Sequence, residues 1–384
     1  MKFVVSARDL RRALATCNEV APSTSVVAEE KTGVLLRASG KTVVFMSADD
    51  TNYVSVEVDA QVSQPGEALV RASAVDAAVR ASYEEFGFDG RDNFVSLETT
   101  SKSTLKLTGA NRVREGKAHP IYRNFPLLNT GFFVEMPSFD VAKATTIPPF
   151  RLMDGLMRVG HAASKDSSKL HFNCINFTLT DKEAVFAATD GIQIAELREA
   201  VEVKGLRGSF ILGLKFASIA AKLINPEKDA NLYVEDDFVF LKVEGTTLVG
   251  ALINASFPAY APFMATEKLL KAIFPHKDFM SVLAGMQPTM DAKSHRIVLE
   301  AGSDGTATLS TSSVSGEAES TGLDVKTPAN FNLHFDANLL QNAIRQLKGE
   351  EFEFYFTPEA SGVLIKSPKD ENFKSYVCTL KKVS

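Results

Sequence analysis

The sequence predicts an α+β protein built from three repeated units, each with two helices packed on antiparallel sheets. Three observations predict it: a strand–turn–strand pattern that occurs three times, six amphipathic segments in step with that pattern, and ordinary globular composition. The segments VLLRASGKTVVFMSADD (Val34–Asp50), INFTLTDKEAVFAATDG (Ile175–Gly191) and VLEAGSDGTATLSTSSV (Val298–Val314) align without gaps. Their polar turns Ser39-Gly40-Lys41, Thr180-Asp181-Lys182 and Ser303-Asp304-Gly305 fall at equivalent places, as hairpins require. A second echo is RNFP (Arg123–Pro126) against ASFP (Ala255–Pro258), each closing a strand-rich stretch. Self-similarity of this kind marks a repeat architecture, with units at 1–136, 137–258 and 259–384.

Helices are expected to start near Ala7, Ser73, Phe150, Leu214, His276 and Asp336, two per unit. The first opens with Ser6 and Asp9, a cap residue with a carboxylate three positions on, and its apolar face is Leu10, Ala13, Leu14 and Cys17. Opposite that face stand Arg8 and Arg12; on the second helix Arg80 takes the same place. The third is expected to bury Leu152, Met153, Leu156 and Met157 and to expose Arg151, Arg158 and Lys165. The fourth buries Phe216, Ile219, Ala220 and Leu223 opposite Lys215, Ser218 and Lys222, and the fifth offers Lys277. The sixth buries Leu340, Ala343, Ile344 and Leu347 and exposes Asn338, Asn342 and Arg345. Solvated helix faces often carry Lys and Arg, but six that share the bias in a chain of net charge −5 indicate segregated charge. A modest basic excess suits a loose partner of the phosphate backbone.

The 384 residues are 45% apolar and 23% charged, which is globular composition and argues against disorder. No stretch approaches the roughly 20 apolar residues of a membrane helix, and MKFVVSARDLRR is too soon charged for a signal peptide, so a cytoplasmic setting is expected. Three distant cysteines, Cys17, Cys174 and Cys378, exclude a disulfide framework, and Cys174 reads as a buried thiol. The six histidines show no metal-binding spacing, and neither a phosphate loop nor a Gly-x-Ser-x-Gly elbow occurs, so neither catalysis nor a cofactor is expected. Asp190-Gly191 reads as a turn at a hairpin exit rather than a catalytic carboxylate.

These features together resemble the bacterial sliding clamp, the DNA polymerase III β subunit family. MKFVVSARDLRRAL resembles its N-terminus, FNCINFTLTDKEAVFAATDG its second-domain hairpin, LINASFPAY (Leu252–Tyr260) the end of that domain, and YVCTL (Tyr376–Leu380) its last strand. The resemblance implies three clamp domains per chain and a closed ring of two chains, head to tail, with the helices lining a central hole. Its partners would be double-stranded DNA without sequence preference, a DNA polymerase, a clamp loader and a second copy of the chain as homodimer, with no membrane. The DNA-facing residues would be Arg8, Arg12, Arg80, Arg151, Arg158, Lys165, His171, Lys215, Lys222, Lys277 and Arg345.

The resemblance also implies a pocket for a short partner peptide. Its matching positions are Phe172, Thr189, Gly191, Ile192, Gln193, Ile194, Pro258, Phe263, Val377, Thr379, Leu380 and Val383. The family usually follows Thr-Asp-Gly with His-Arg-Leu, where this chain has Ile192-Gln193-Ile194. Its C-terminal Pro-Met-Arg-Leu is replaced by Leu380-Lys381-Lys382-Val383-Ser384, and its DNA-touching aromatics by Leu170 and His171. Ala21-Pro22-Ser23-Thr24 lacks the expected basic residue, and the connection Leu127–Pro149 is longer. A structural scaffold of three α+β units is the rival reading of the same pattern.

Overall fold

The computed structural model describes residues 1–21, 33–85, 94–114, 117–140, 144–267, 269–313, 316–357 and 361–381. The same order of elements, strand–helix–four strands–helix–three strands, occurs three times. The first passage is β1 (Lys2–Ser6), α1 (Ala7–Val20), β2 (Gly33–Ser39), β3 (Thr42–Ala48), β4 (Asn52–Gln64), β5 (Gly66–Arg71), α2 (Ala72–Glu85), β6 (Phe94–Thr99), β7 (Thr104–Arg114) and β8 (Lys117–Pro126). The second is β9 (Thr145–Ile147), α3 (Pro149–Val159), β10 (Cys174–Leu179), β11 (Glu183–Thr189), β12 (Gln193–Ala200), β13 (Gly208–Gly213), α4 (Leu214–Leu223), β14 (Ala230–Glu235), β15 (Phe238–Val243) and β16 (Thr246–Ala251). The third is β17 (Leu270–Pro275), α5 (His276–Met286), β18 (Arg296–Ala301), β19 (Thr306–Ser313), β20 (Gly316–Asp324), β21 (Phe331–Asp336), α6 (Ala337–Arg345), β22 (Glu351–Phe356), β23 (Gly362–Ser367) and β24 (Asp370–Cys378).

The three aligned segments are the hairpins β2–β3, β10–β11 and β18–β19, all antiparallel. The fourth strand of a hairpin sheet then meets the last strand of the next passage. Thus β4 pairs β16, with Asn52 opposite Gly250, and β12 pairs β24, with Gln193 opposite Val377. Contacts divide the chain into two compact units, Met1–Pro149 with Lys222–Ala251 and Phe150–Ala221 with Leu252–Ser384. The division falls inside the middle passage, because each of these cross-passage pairings binds one of its sheets to a neighbour.

All six helices begin within a residue of their expected starts. Leu10, Ala13, Leu14 and Cys17 of α1 are buried, as the apolar spacing requires. Ser6 occupies the N-cap of α1 but makes no side-chain capping bond, whereas Asp336 accepts from the amides of Asn338 and Leu339 and caps α6. Gly155 sits inside α3 at the cost of helix propensity because the Phe186 ring lies where its side chain would be, so that a Cβ there would overlap that ring.

Helix α3 departs from its expected faces. Met157 is 58% exposed rather than buried, and Arg158, expected on the solvent face, is buried at 5%. Lys165 lies beyond the helix, which ends at Val159 and is followed by a 3₁₀ turn, Gly160–Ala162. Leu223 of α4 is half-buried.

Candidate functional site

The basic residues predicted for the helix faces fall into three groups. Arg8, Arg12, Lys215, Lys277 and Arg345 are exposed on their helices, with Arg12 Nη2 3.8 Å from Asp9 Oδ1 and Lys215 not free of partners, and Lys165 and His171 are exposed in the loop before β10. Arg80 lies on α2, and its side chain is outside the described residues. Arg151 and Lys222 are engaged within the chain: Arg151 pairs with the buried Glu199, and Lys222 Nζ is 2.8 Å from Glu19 Oε2. Burial raises the Glu199 carboxyl above its ordinary value, against the attraction of Arg151.

Arg158 is in a different state and is no surface cation. Its guanidinium pairs with Asp370 and Asp154, donates from Nη2 to the Gln346 carbonyl at 2.7 Å, and lies 4.2 Å over the Phe373 ring. Both terminal nitrogens of this buried guanidinium are paired within the protein, although its Nε has no partner among the described residues, and it has no reach to a phosphate.

The pocket residues centre on the turn between β11 and β12. Asp190 Oδ1 accepts the amides of Ile192 and Gln193, each at 3.0 Å, and the Thr189 hydroxyl donates to the Gln193 carbonyl at 2.6 Å. Gly191 has φ +96°, a region that favours glycine, and its missing Cβ would stand 3.4 Å from the Phe172 ring. The turn therefore leaves Ile192 exposed beside Phe172, while Ile194, two residues on and on the same strand face, is buried. The expectation of a turn at Asp190-Gly191 agrees with this geometry.

Ile194 joins Met264 and Leu364 in an apolar cluster flanked by Tyr260, Tyr355 and Tyr376. Exposed Phe263 leans on Tyr376 with ring centroids 5.2 Å apart. Pro258, Thr379 and Leu380 are half-buried, and Leu380 donates its amide to the His334 carbonyl at 2.7 Å. Val377 is fully buried and Gln193 and Thr189 nearly so, which leaves Tyr376 rather than Val377 beside Phe263. Sequence reading missed Tyr376, although strand alternation in YVCTL separates Tyr376 and Cys378 from Val377. Val383 lies outside the described residues.

The same turn recurs where β4 meets β16. Asp49 Oδ1 accepts the amides of Thr51 and Asn52 at 2.7 and 2.6 Å, and the Asn52 side chain returns to both Asp49 oxygens. The Ala251 amide donates to the Thr51 carbonyl at 2.8 Å, as that of Cys378 does to Ile192 at 2.9 Å. The tips differ in kind, Asp50-Thr51 being polar where Gly191-Ile192 presents an apolar surface, and Ala48 stands where Thr189 bonds the Gln193 carbonyl. One of two alike junctions therefore offers an apolar anchor site.

Residues 146–259 match the family of the DNA polymerase III beta subunit, central domain. A beta sliding clamp of Caulobacter vibrioides is 22% identical over 99% of this chain and all of its own length. That of Chlamydia pneumoniae is 21% identical over 77% of this chain and 76% of its own. The solved DNA polymerase III beta subunit of Thermotoga maritima superposes over the full length of both chains with a TM-score of 0.86 at 16% identity. The Pseudomonas aeruginosa sliding clamp bound to griselimycin does so with a TM-score of 0.84 at 15% identity.

Proposed function

The chain is a divergent member of the DNA polymerase III beta subunit family, a sliding clamp, and from that premise we propose that two copies close head to tail around double-stranded DNA and hold a DNA polymerase there. One observation carries the reading. Within the chain, the fourth strand of a hairpin sheet finds its partner in the last strand of the following passage, β4 with β16 and β12 with β24. The equivalent strand of the third passage is β20, at the end of its sheet, and the equivalent last strand of the first is β8, also at a sheet end. Applying the same rule once more pairs β20 of one copy with β8 of the next. Two such junctions between two copies leave no open edge of this kind.

Charge supports that pairing. Strand β20 carries Glu317, Glu319 and Asp324, with Glu317 and Glu319 exposed, while β8 carries Arg123 and no acidic residue. Opposite charges across a strand pair favour it, and like charges at a β20–β20 pair disfavour the alternative. The boundaries 1–136, 137–258 and 259–384 remain our division into clamp domains, since each then holds one full passage of elements.

A closed ring retains DNA by topology, so its inner surface needs only weak, sequence-independent phosphate contacts. Of the residues first assigned there, we keep Arg8, Arg12, Arg80, Lys165, His171, Lys215, Lys277 and Arg345. Arg12, Arg151 and Lys222 contribute less because their charge is partly met within the chain. Arg158 is withdrawn. The role needs no catalytic group: tethering raises the polymerase's effective concentration at the template. A polymerase and a clamp loader, acting in the cytoplasm, would each dock a short peptide with apolar anchors at Phe172, Ile192, Ile194, Phe263 and Leu380.

Loading onto nicked circular DNA tests the ring. Protein retained through a salt wash should leave once the circle is linearised, and sedimentation should give a dimer that Glu317→Lys with Glu319→Lys converts to monomer. Retention unaffected by linearisation, or a wild-type monomer at micromolar concentration, would favour the scaffold reading. For the pocket, Phe263→Ala should weaken griselimycin by more than about 1 kcal/mol.

A further inference from the structure

A line of partly buried hydrogen bonds runs from α3 to the turn that presents Ile192. The Arg158 carbonyl is bonded by His161 Nδ1 at 2.8 Å, which requires the proton on Nδ1, and the His161 ring packs near Phe373 beneath the Arg158 guanidinium. The His161 carbonyl in turn accepts from Gln193 Nε2 at 3.3 Å, and the same Nε2 donates to Asp190 Oδ2 at 2.8 Å. Asp190 then holds the amides of Ile192 and Gln193 through its other oxygen. At its far end the line is anchored by Asp370 and the Gln346 carbonyl, which fasten α3 to the strands and helix of the third passage.

Gln193 is 3% exposed, and its amide nitrogen is committed to these two internal acceptors. It therefore does not line the pocket as the carried-over assignment had it. We propose that Gln193 is a positioning residue for the partner pocket: it locks the Asp190–Ile192 turn against the His161 carbonyl and so sets the height of Gly191 and Ile192 beside Phe172. The inference rests on the pocket reading above and adds to it a cause for the pocket's shape. Without the lock, the glycine at φ +96° is free to move, and the Ile192 side chain loses its fixed place.

Asn52 supplies an internal control for the bond to the turn's aspartate, because its side chain returns to Asp49 and Thr51 without a distant carbonyl, at a junction with no apolar tip. The experiment compares full-length wild type, Gln193→Leu, Asn52→Leu and Phe263→Ala by griselimycin titration and by amide hydrogen exchange. Gln193→Leu should weaken griselimycin about tenfold and speed exchange at Ile192 and Gln193. Asn52→Leu should speed exchange at Thr51 and Asn52 while leaving griselimycin affinity within about twofold. Gln193→Leu with wild-type affinity, or with unchanged exchange at Ile192, overturns the proposal, as does equal weakening by Asn52→Leu. If Phe263→Ala binds like wild type, the pocket reading itself is at fault, and exchange at Ile192 still decides whether Gln193 locks the turn.

Discussion

Lys222 Nζ lies 2.8 Å from Glu19 Oε2, so a lysine assigned to the DNA-facing surface already has a carboxylate partner within the chain. Both side chains are open to solvent, at 62% and 44%, and an exposed pair of this kind contributes little to stability. Glu19→Gln should change unfolding free energy by less than about 0.5 kcal/mol. It should also release one cation to phosphate and steepen the dependence of log K on log salt by about 0.9 for short duplex DNA. An unchanged slope would place Lys222 away from DNA.

Arg158 should behave in the opposite way. Replacing it with Met leaves Asp370 without its buried counter-charge and Asp154 with the exposed Lys348 alone, an expected loss of about 3–5 kcal/mol in urea unfolding. Arg8→Gln, on an exposed face, should cost under about 0.5 kcal/mol. Similar costs for the two would show that Arg158 is not the interior clamp described here.

Acid should weaken the fold through His161. Burial holds its imidazole below the ordinary value of 6.5, and the Arg158 guanidinium pushes the same way, against the carbonyl bond and Asp190. The unfolded chain takes up the proton as pH falls through about 6.5 while the folded chain resists it. This contribution is thus complete above that pH and is lost as pH falls toward the lower folded value. Unfolding free energies at pH 7.5 and 5.5 should differ more for wild type than for His161→Gln; equal differences would assign the acid sensitivity to other groups.

Gly155→Ala tests the packing of α3. Alanine gains about 1 kcal/mol of helix propensity, but its Cβ would overlap the Phe186 ring, and overpacking of a core costs about 1–3 kcal/mol. A net fall in thermal midpoint is expected, partly relieved when Phe186→Leu is added. A rise in midpoint for Gly155→Ala alone would mean that the ring moves aside freely.

The hairpins, the helix starts and the threefold order of elements are legible in the sequence. Each depends on neighbours a few residues apart: a polar turn between alternating strands, or apolar residues three and four apart on a helix. The Asp190-Gly191 turn was legible for the same reason. Which of two like residues faces solvent depends instead on contacts made across the fold. Arg151 and Arg158 are seven positions apart and share a helical face, yet only Arg158 is buried, because Gln346 and Asp370, 188 and 212 residues further on, close over it. Gln193 turned inward through the carbonyl of His161, 32 positions back. Periodicity reports the direction of a side chain from its own backbone, but the groups that meet it there are brought by distant strands, and no local pattern encodes them.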